Sequence, residues 1–216
     1  DNPWADIKRR RVIQQGRREL TIAELEKICR SAAGELRVLL GIGIYTGLRL
    51  GDCATLRWAE VDMARGIITR IPNKTAARNP RPVIAPIHPA LAALLGPQQT
   101  NGPVLSGMAA KYVSDRTGLV RSIQAHFRRC GIETHRPAAE GQSRPVVAVG
   151  FHSLRHTFVS LCRAAGAPLA VVESLVGHSS PAMTRHYTHV GAEAARAAVA
   201  LIPSVTTQPG ASARST

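Results

Sequence analysis

From the amino terminus, the chain carries little apolar periodicity until Leu20 and then changes to helical spacing. Residues 1–18 are polar and basic (Lys8, Arg9, Arg10, Arg11, Arg17, Arg18) and are expected to form a linker or arm. Thr21-Ile-Ala-Glu24 spells a capping box, in which the Thr21 hydroxyl takes a first-turn amide and Glu24 reaches back to the free amides. The helix it opens turns Leu20, Leu25 and Ile28 toward a core. A second apolar helix is predicted over about Leu36–Tyr45, stopped by Thr46-Gly47, with a short helix over 49–56. The pattern then changes. Trp58 and Val61, next Ile67, Ile68 and Ile71, and finally Val83, Ile84 and Ile87 make short β-rich runs. Turn-rich stretches at 62–66 and 73–80 separate them, which predicts a three-stranded antiparallel sheet.

From His88 the pattern is helical again, with Pro89, Pro168 and Pro181 each placed where a first helical turn begins. Residues 131–150 are Pro/Gly-rich and polar and are expected to be a long loop. A helix over 152–165 shows Leu154, Phe158, Leu161 and Ala165 on one face; Gly166 ends it, and a shorter one over 168–176 ends at Gly177. Ser180-Pro181 caps a helix running through Tyr187, and an alanine-rich helix follows over about 191–201. From Pro203 the composition is that of a disordered tail. The expected fold class is mainly α with a small three-stranded antiparallel β-sheet (α+β). The folded domain is expected over 19–202, between the arm at 1–18 and the tail at 203–216.

Composition narrows the partner. Apolar residues make up 44% of the 216, enough for one substantial core or two small ones, and the 4% aromatic content makes that core aliphatic. Lys and Arg total 28 against 14 acidic residues, a net charge of +14, and a surplus that large points to a polyanion. Lysine occurs only at Lys8, Lys27, Lys74 and Lys111, so the basic charge is mostly arginine, whose planar fork matches phosphate oxygens. Nucleic acid is therefore favoured over an anionic membrane, and no apolar run reaches membrane-spanning length. Cys29, Cys53, Cys130 and Cys162 contain no CxxC pair and read as small apolar residues of a reducing compartment. His126, Cys130 and His135 lack a fourth ligand at suitable spacing for a tetrahedral metal site.

Four places hold polar residues that packing does not explain. TGLRLGD (46–52) puts Arg49 and Asp52 just beyond an apolar helix, and Lys74 lies in the turn between the second and third strands. Alone, such residues are ordinarily a solvated charge and an exposed turn lysine. His152-Ser-Leu-Arg155 opens a helix, with His and Arg on one face by i,i+3 spacing. His156 completes an i,i+4 histidine pair, but Ser153 stands where a zinc protease needs Glu. The last is Gly177-His178-Ser-Ser-Pro leading to Tyr187. There His178 immediately precedes a helix N-terminus, a place that favours an anion.

In this order the residues resemble the tyrosine recombinase (phage integrase) family, whose catalytic domain runs Arg, Glu/Asp, Lys, His-x-x-Arg, His/Trp, Tyr. The resemblance covers roughly 19–190 and rests on TGLRLGD, NKTA, FHSLRHTF and VGHSSPAMTRHYTH, the last ending at His189. It implies catalytic roles for Arg49, Lys74, His152, Arg155, His178 and the nucleophile Tyr187, with Asp52 behind them orienting the Arg and His residues. It also implies duplex DNA as substrate, a 3′-phosphotyrosyl intermediate, and neither metal nor ATP; no cofactor is expected. The implied assembly is a homotetramer on DNA with the C-terminal helix exchanged between protomers, aided by accessory DNA-bending proteins. The expected location is cytoplasmic, at the bacterial nucleoid. Two rivals share the fold or the chemistry: a non-catalytic DNA-binding regulatory module and a type IB topoisomerase-like relaxase. The chain begins at Asp1 and lacks the family's usual N-terminal clamping domain, as expected of a fragment.

Overall fold

A computed structural model describes residues 17–77, 80–138, 145–177 and 190–206. The capping box closes as the sequence predicts: Thr21 Oγ1 accepts from Glu24 N–H at 3.2 Å, and Glu24 Oε2 accepts from Thr21 N–H at 2.9 Å. It opens α1 (Ile22–Ser31), which buries Leu25, Ile28 and Cys29. The arm is tied in at its last residue, because Arg18 N–H donates to the Ala148 carbonyl and its guanidinium forks onto Glu24 at 2.6 and 2.8 Å.

The core is built around α2 (Gly34–Thr46), in which every residue from Leu39 to Thr46 is buried. A helix apolar on all sides is a central one. It ends at Gly47 in the left-handed region (φ 63°), with the Gly47 N–H on the Gly43 carbonyl. One turn back it crosses α7 (Phe151–Ala164) closely, and a Cβ on Gly43 would lie 2.7 Å from the Phe151 ring. Leu48 and Arg49 then lead into α3 (Leu50–Ala54).

The sheet has the expected order, β1 (Val61–Asp62), β2 (Ile67–Arg70) and β3 (Val83–Pro86), all antiparallel. Val61 pairs with Ile68, and Arg70 with Val83. Trp58, expected in the first strand run, instead sits in a 3₁₀ turn over Trp58–Glu60. Period-two alternation along β2 buries Ile68 and, at the next inward position, Arg70. Helices α4 (Pro89–Leu95), α5 (Ser106–Ser114) and α6 (Arg116–Arg129) follow, Pro89 being the first residue of its helix. Pro168 is the cap of α8 (Leu169–Val176) rather than part of its first turn. No helix among the described residues is long and apolar enough to cross a membrane.

Two expectations need correction. The stretch 131–150, read as a loop, contains a hairpin of β4 (His135–Arg136) and β5 (Val146–Val147). Each strand is only two residues long, too short to show alternation. The tail does not begin at Pro203. Helix α9 (Val190–Ala200) folds back onto its own domain, burying Ala195, Ala198 and Val199. Ile202, Val205 and Thr206 are buried beyond it. Tyr45 explains why: its phenolic oxygen accepts from Val205 N–H at 3.0 Å, and Arg37 donates to the Thr206 carbonyl at 2.6 Å. A buried phenol needs partners, and Pro203, Val205 and Thr206 supply them.

Candidate active site

Gly47 fixes the direction in which Arg49 leaves α2. A Cβ there would stand 2.5 Å from Phe158 Cδ1, so α2 and α7 meet at this turn without room for a side chain. Arg155 fastens the same junction from α7. Only 4% exposed, it donates from Nη1 to the Gly47 carbonyl at 2.9 Å and from Nη2 to the Val176 carbonyl. It thereby joins the ends of α2 and α8 to the first turns of α7. Burial, and next the charge of Arg49, lowers its pKa to about 10. Arg155 remains a cation at neutral pH, and a second cation presses on it. Such a pair gains if an anion comes between the two.

His152 lies one helical turn before Arg155. Burial pulls its pKa down to about 4, with further lowering by His156, Arg17, Arg155 and Arg49 in that order. The ring is therefore neutral at pH 7 and has a lone pair to accept a proton. His156 meets it edge-on, with ring centroids 4.9 Å apart.

Arg49, Asp52, Lys74 and His152 line one cavity of about 500 Å³. Three segments far apart in sequence thus converge there: the α2–α3 junction, the β2–β3 turn and the start of α7. Arg155 sits behind the cavity. His178 and Tyr187, with the helix predicted through Tyr187, lie outside the described residues.

Asp52 is 1% exposed, and its Oδ1 accepts from the Asn73 amide at 2.7 Å. It reaches Arg155 electrostatically, raising that pKa, but its hydrogen bond among the described residues runs to the turn carrying Lys74. Sequence reasoning had aimed it at the Arg and His residues. It also missed Arg70, whose buried guanidinium bonds Glu60, Thr55 and Asn73. The signal was present: Arg70 occupies an inward position of β2 that alternation reserves for an apolar residue. Arg17, Tyr112 and Arg116 also line the cavity. Tyr112 packs against Gly51, where any Cβ would overlap its hydroxyl, and Arg116 stacks over its ring at 5.6 Å. His126 and His135, once weighed as ligands, bond Ile28 O at 2.8 Å and Thr134 Oγ1 at 2.9 Å.

The model of the phage integrase family matches residues 18–194. The chain belongs to this family. Within it, a tyrosine recombinase XerC of Xanthomonas campestris pv. campestris is 31% identical over 160 residues, covering 71% of this chain and 44% of that protein. The integrase of Salmonella phage P22 is 26% identical, covering 77% of this chain and 42% of its own length. The chain therefore spans less than half the length of either relative. Among solved structures, an integrase from mycobacterium phage Brujita superposes with a TM-score of 0.64 at 17% identity, over 98% of this chain and 67% of that one. The catalytic domain of bacteriophage HP1 integrase gives 0.52 at 24%, over 81% of this chain and 88% of that one. These identities speak to fold alone, and the fold is that of tyrosine recombinase catalytic domains.

Proposed function

We propose that this phage integrase family member cleaves and rejoins duplex DNA as a site-specific recombinase, through a 3′-phosphotyrosyl intermediate and without metal or ATP. The observation that carries this is the convergence of Arg49, Lys74 and a neutral His152 on one cavity, with Arg155 directly behind.

The chemistry follows from charge. Attack on a phosphodiester concentrates negative charge on the non-bridging oxygens, and fixed cations at that place lower the barrier. Arg49 and the uncommitted donors of Arg155 supply them, with His178 as a further donor. Tyr187 forms the bond to phosphorus and gives its proton to His152 as it attacks, since a free phenol, with a reference pKa near 10, is protonated at neutral pH. In the free protein burial holds His152 low, and the neighbouring arginines lower it further; a bound phosphate offsets their charge and makes the ring a better base. Lys74 gives a proton to the departing 5′-oxygen. The phosphotyrosyl ester keeps the bond energy for rejoining by a second 5′-hydroxyl.

The partner is double-stranded DNA, bound by four protomers that exchange the helix α9, with accessory DNA-bending proteins where the site requires them. The reaction belongs in the bacterial cytoplasm, at the nucleoid. A suicide duplex with a nick close to the cleavage site tests the reading. The chain should become covalently attached through Tyr187, and Tyr187→Phe should bind DNA nearly as well yet form no adduct. An adduct on another residue, or none at all, would reject it, the latter favouring a non-catalytic module. Relaxation of supercoils without joining of paired sites would favour a topoisomerase-like enzyme instead.

A further inference from the structure

We propose that Arg70 is a positioning residue for Lys74: its buried guanidinium fixes the turn that presents Lys74 to the cavity. The proposal rests on the proton-donor role given to Lys74 above. Arg70 closes β2 and is 6% exposed. Nη1 donates to both Glu60 oxygens at 2.7 and 2.9 Å and to the Thr55 carbonyl at 3.3 Å. Nη2 donates to Thr55 Oγ1 and to Asn73 Oδ1, each at 2.8 Å. One side chain therefore ties the 3₁₀ turn, the end of α3 and the β2–β3 turn together.

Asn73 is the residue immediately before Lys74, and it is held at three atoms. Its Oδ1 takes Arg70, its Nδ2 reaches Thr55 Oγ1 at 3.2 Å, and its backbone N–H donates to Asp52 Oδ1 at 2.7 Å. Consecutive Cα atoms are about 3.8 Å apart, so fixing Asn73 confines the Lys74 Cα while its side chain stays free to reach. Arg70 Nε lies 3.8 Å from Asp52 Oδ1 and has no hydrogen-bond partner among the described residues. The pair attracts without sharing a proton, which leaves Asp52 Oδ1 to the Asn73 amide. An arginine needed only to fill this inward position of β2 would gain nothing from reaching Asn73. An apolar side chain of similar volume serves packing at least as well as a buried ion pair.

Single-turnover cleavage by the full chain, on normal DNA and on DNA with sulfur at the 5′-bridging position, separates positioning from mere structure. Sulfur leaves without a proton donor. Two variants are used: Arg70→Gln, which leaves the buried Asp52 and the half-buried Glu60 without their cation, and Asn73→Ala, which strands no charge and keeps the result readable if the first does not fold. Both should cleave normal DNA at least about tenfold more slowly, with DNA affinity little changed, and both should recover on the sulfur substrate. Arg49→Ala should not recover. Adding Asn73→Ala to Lys74→Ala should slow normal cleavage no further. Recovery of Lys74→Ala without recovery of the two variants, or full-speed cleavage by Asn73→Ala, overturns the role of Arg70 alone. Failure of sulfur to rescue Lys74→Ala overturns the proton-donor role, and this proposal with it.

Discussion

Burial and the charge of Arg49 together lower the Arg155 pKa to about 10, yet the two arginines are held differently, and their variants should differ accordingly. Arg155→Ala leaves the buried carbonyls of Gly47 and Val176 without their donor. Each lost partner costs about 1–3 kcal/mol, so the melting temperature should fall clearly. Arg49→Ala should lose cleavage by a comparable factor, on the order of 10²–10³ for a charge-stabilising donor, with melting nearly unchanged. Calorimetry of both proteins checks this; equal melting losses would show that the Arg155 anchors carry no stability. His152 gives a pH test. Its folded pKa, about 4, lies below the ordinary 6.5, so the unfolded chain binds the extra proton first. Its contribution to stability is therefore lost as pH falls from about 6.5 toward 4, and His152→Gln should flatten that part of a stability–pH curve. At this scale the sequence showed chemistry through order and spacing, as with His152 and Arg155 three apart on one helix face. It did not show Arg70 or Tyr112. Their significance depends on which distant residues they meet, and nothing local records that Arg70 meets Glu60 or that Tyr112 closes on Gly51.

Between elements, the α2–α7 crossing carries the site, and it depends on absent side chains. Gly47→Ala would place an ordinary residue in the left-handed region, at about 1–2 kcal/mol, and also drive a methyl into Phe158. Gly66 has nearly the same φ, 65°, but open space around it. Gly66→Ala should therefore cost only the backbone strain, and urea denaturation should rank Gly47→Ala well below it. If the two were equal, the close approach to Phe158 would carry no weight. The Thr21 box, α2 with its stop at Gly47, and the order of the three strands were legible, although the first strand begins at Val61 and leaves Trp58 in a 3₁₀ turn. The β4–β5 hairpin was not, since its pairing of His135 with Val147 is decided across a long connection and not within either strand.

For the whole molecule, a charge of +14 predicts DNA binding that weakens log-linearly with salt as counterions are released. Titrations at several salt concentrations give the slope; a flat response would mean that phosphate contacts are not the main source of affinity. The C-terminal helix gives a second test. Although its residues are mostly small, Ala195, Ala198 and Val199, with Ile202 and Val205 beyond it, join the main cluster of their own domain. Small side chains let the helix lie close to α8 and β3, which a tally of bulk does not reveal. Truncation after Val190 should thus lower the stability of the free protein as well as weaken assembly of paired sites. The proposed exchange between protomers would stay inexpensive, because the same contacts would re-form in the neighbour. A truncated chain as stable as the whole would mean that α9 packs without consequence.

The burial of α2 on all sides also sets a timescale. Amides in its Leu39–Thr46 stretch can reach solvent only when the domain unfolds, so their hydrogen exchange should be among the slowest in the chain. Arg49 follows three residues later and shares that permanence. The amides of Thr75 and Ala76 hang on a single acceptor, the Pro72 carbonyl, and should exchange by local opening many times faster. The half of the cavity that Arg49 lines is then assembled for as long as the domain is folded, whereas the turn beyond Lys74 opens many times in that lifetime, about an anchor at Asn73 that keeps the lysine's own Cα in place.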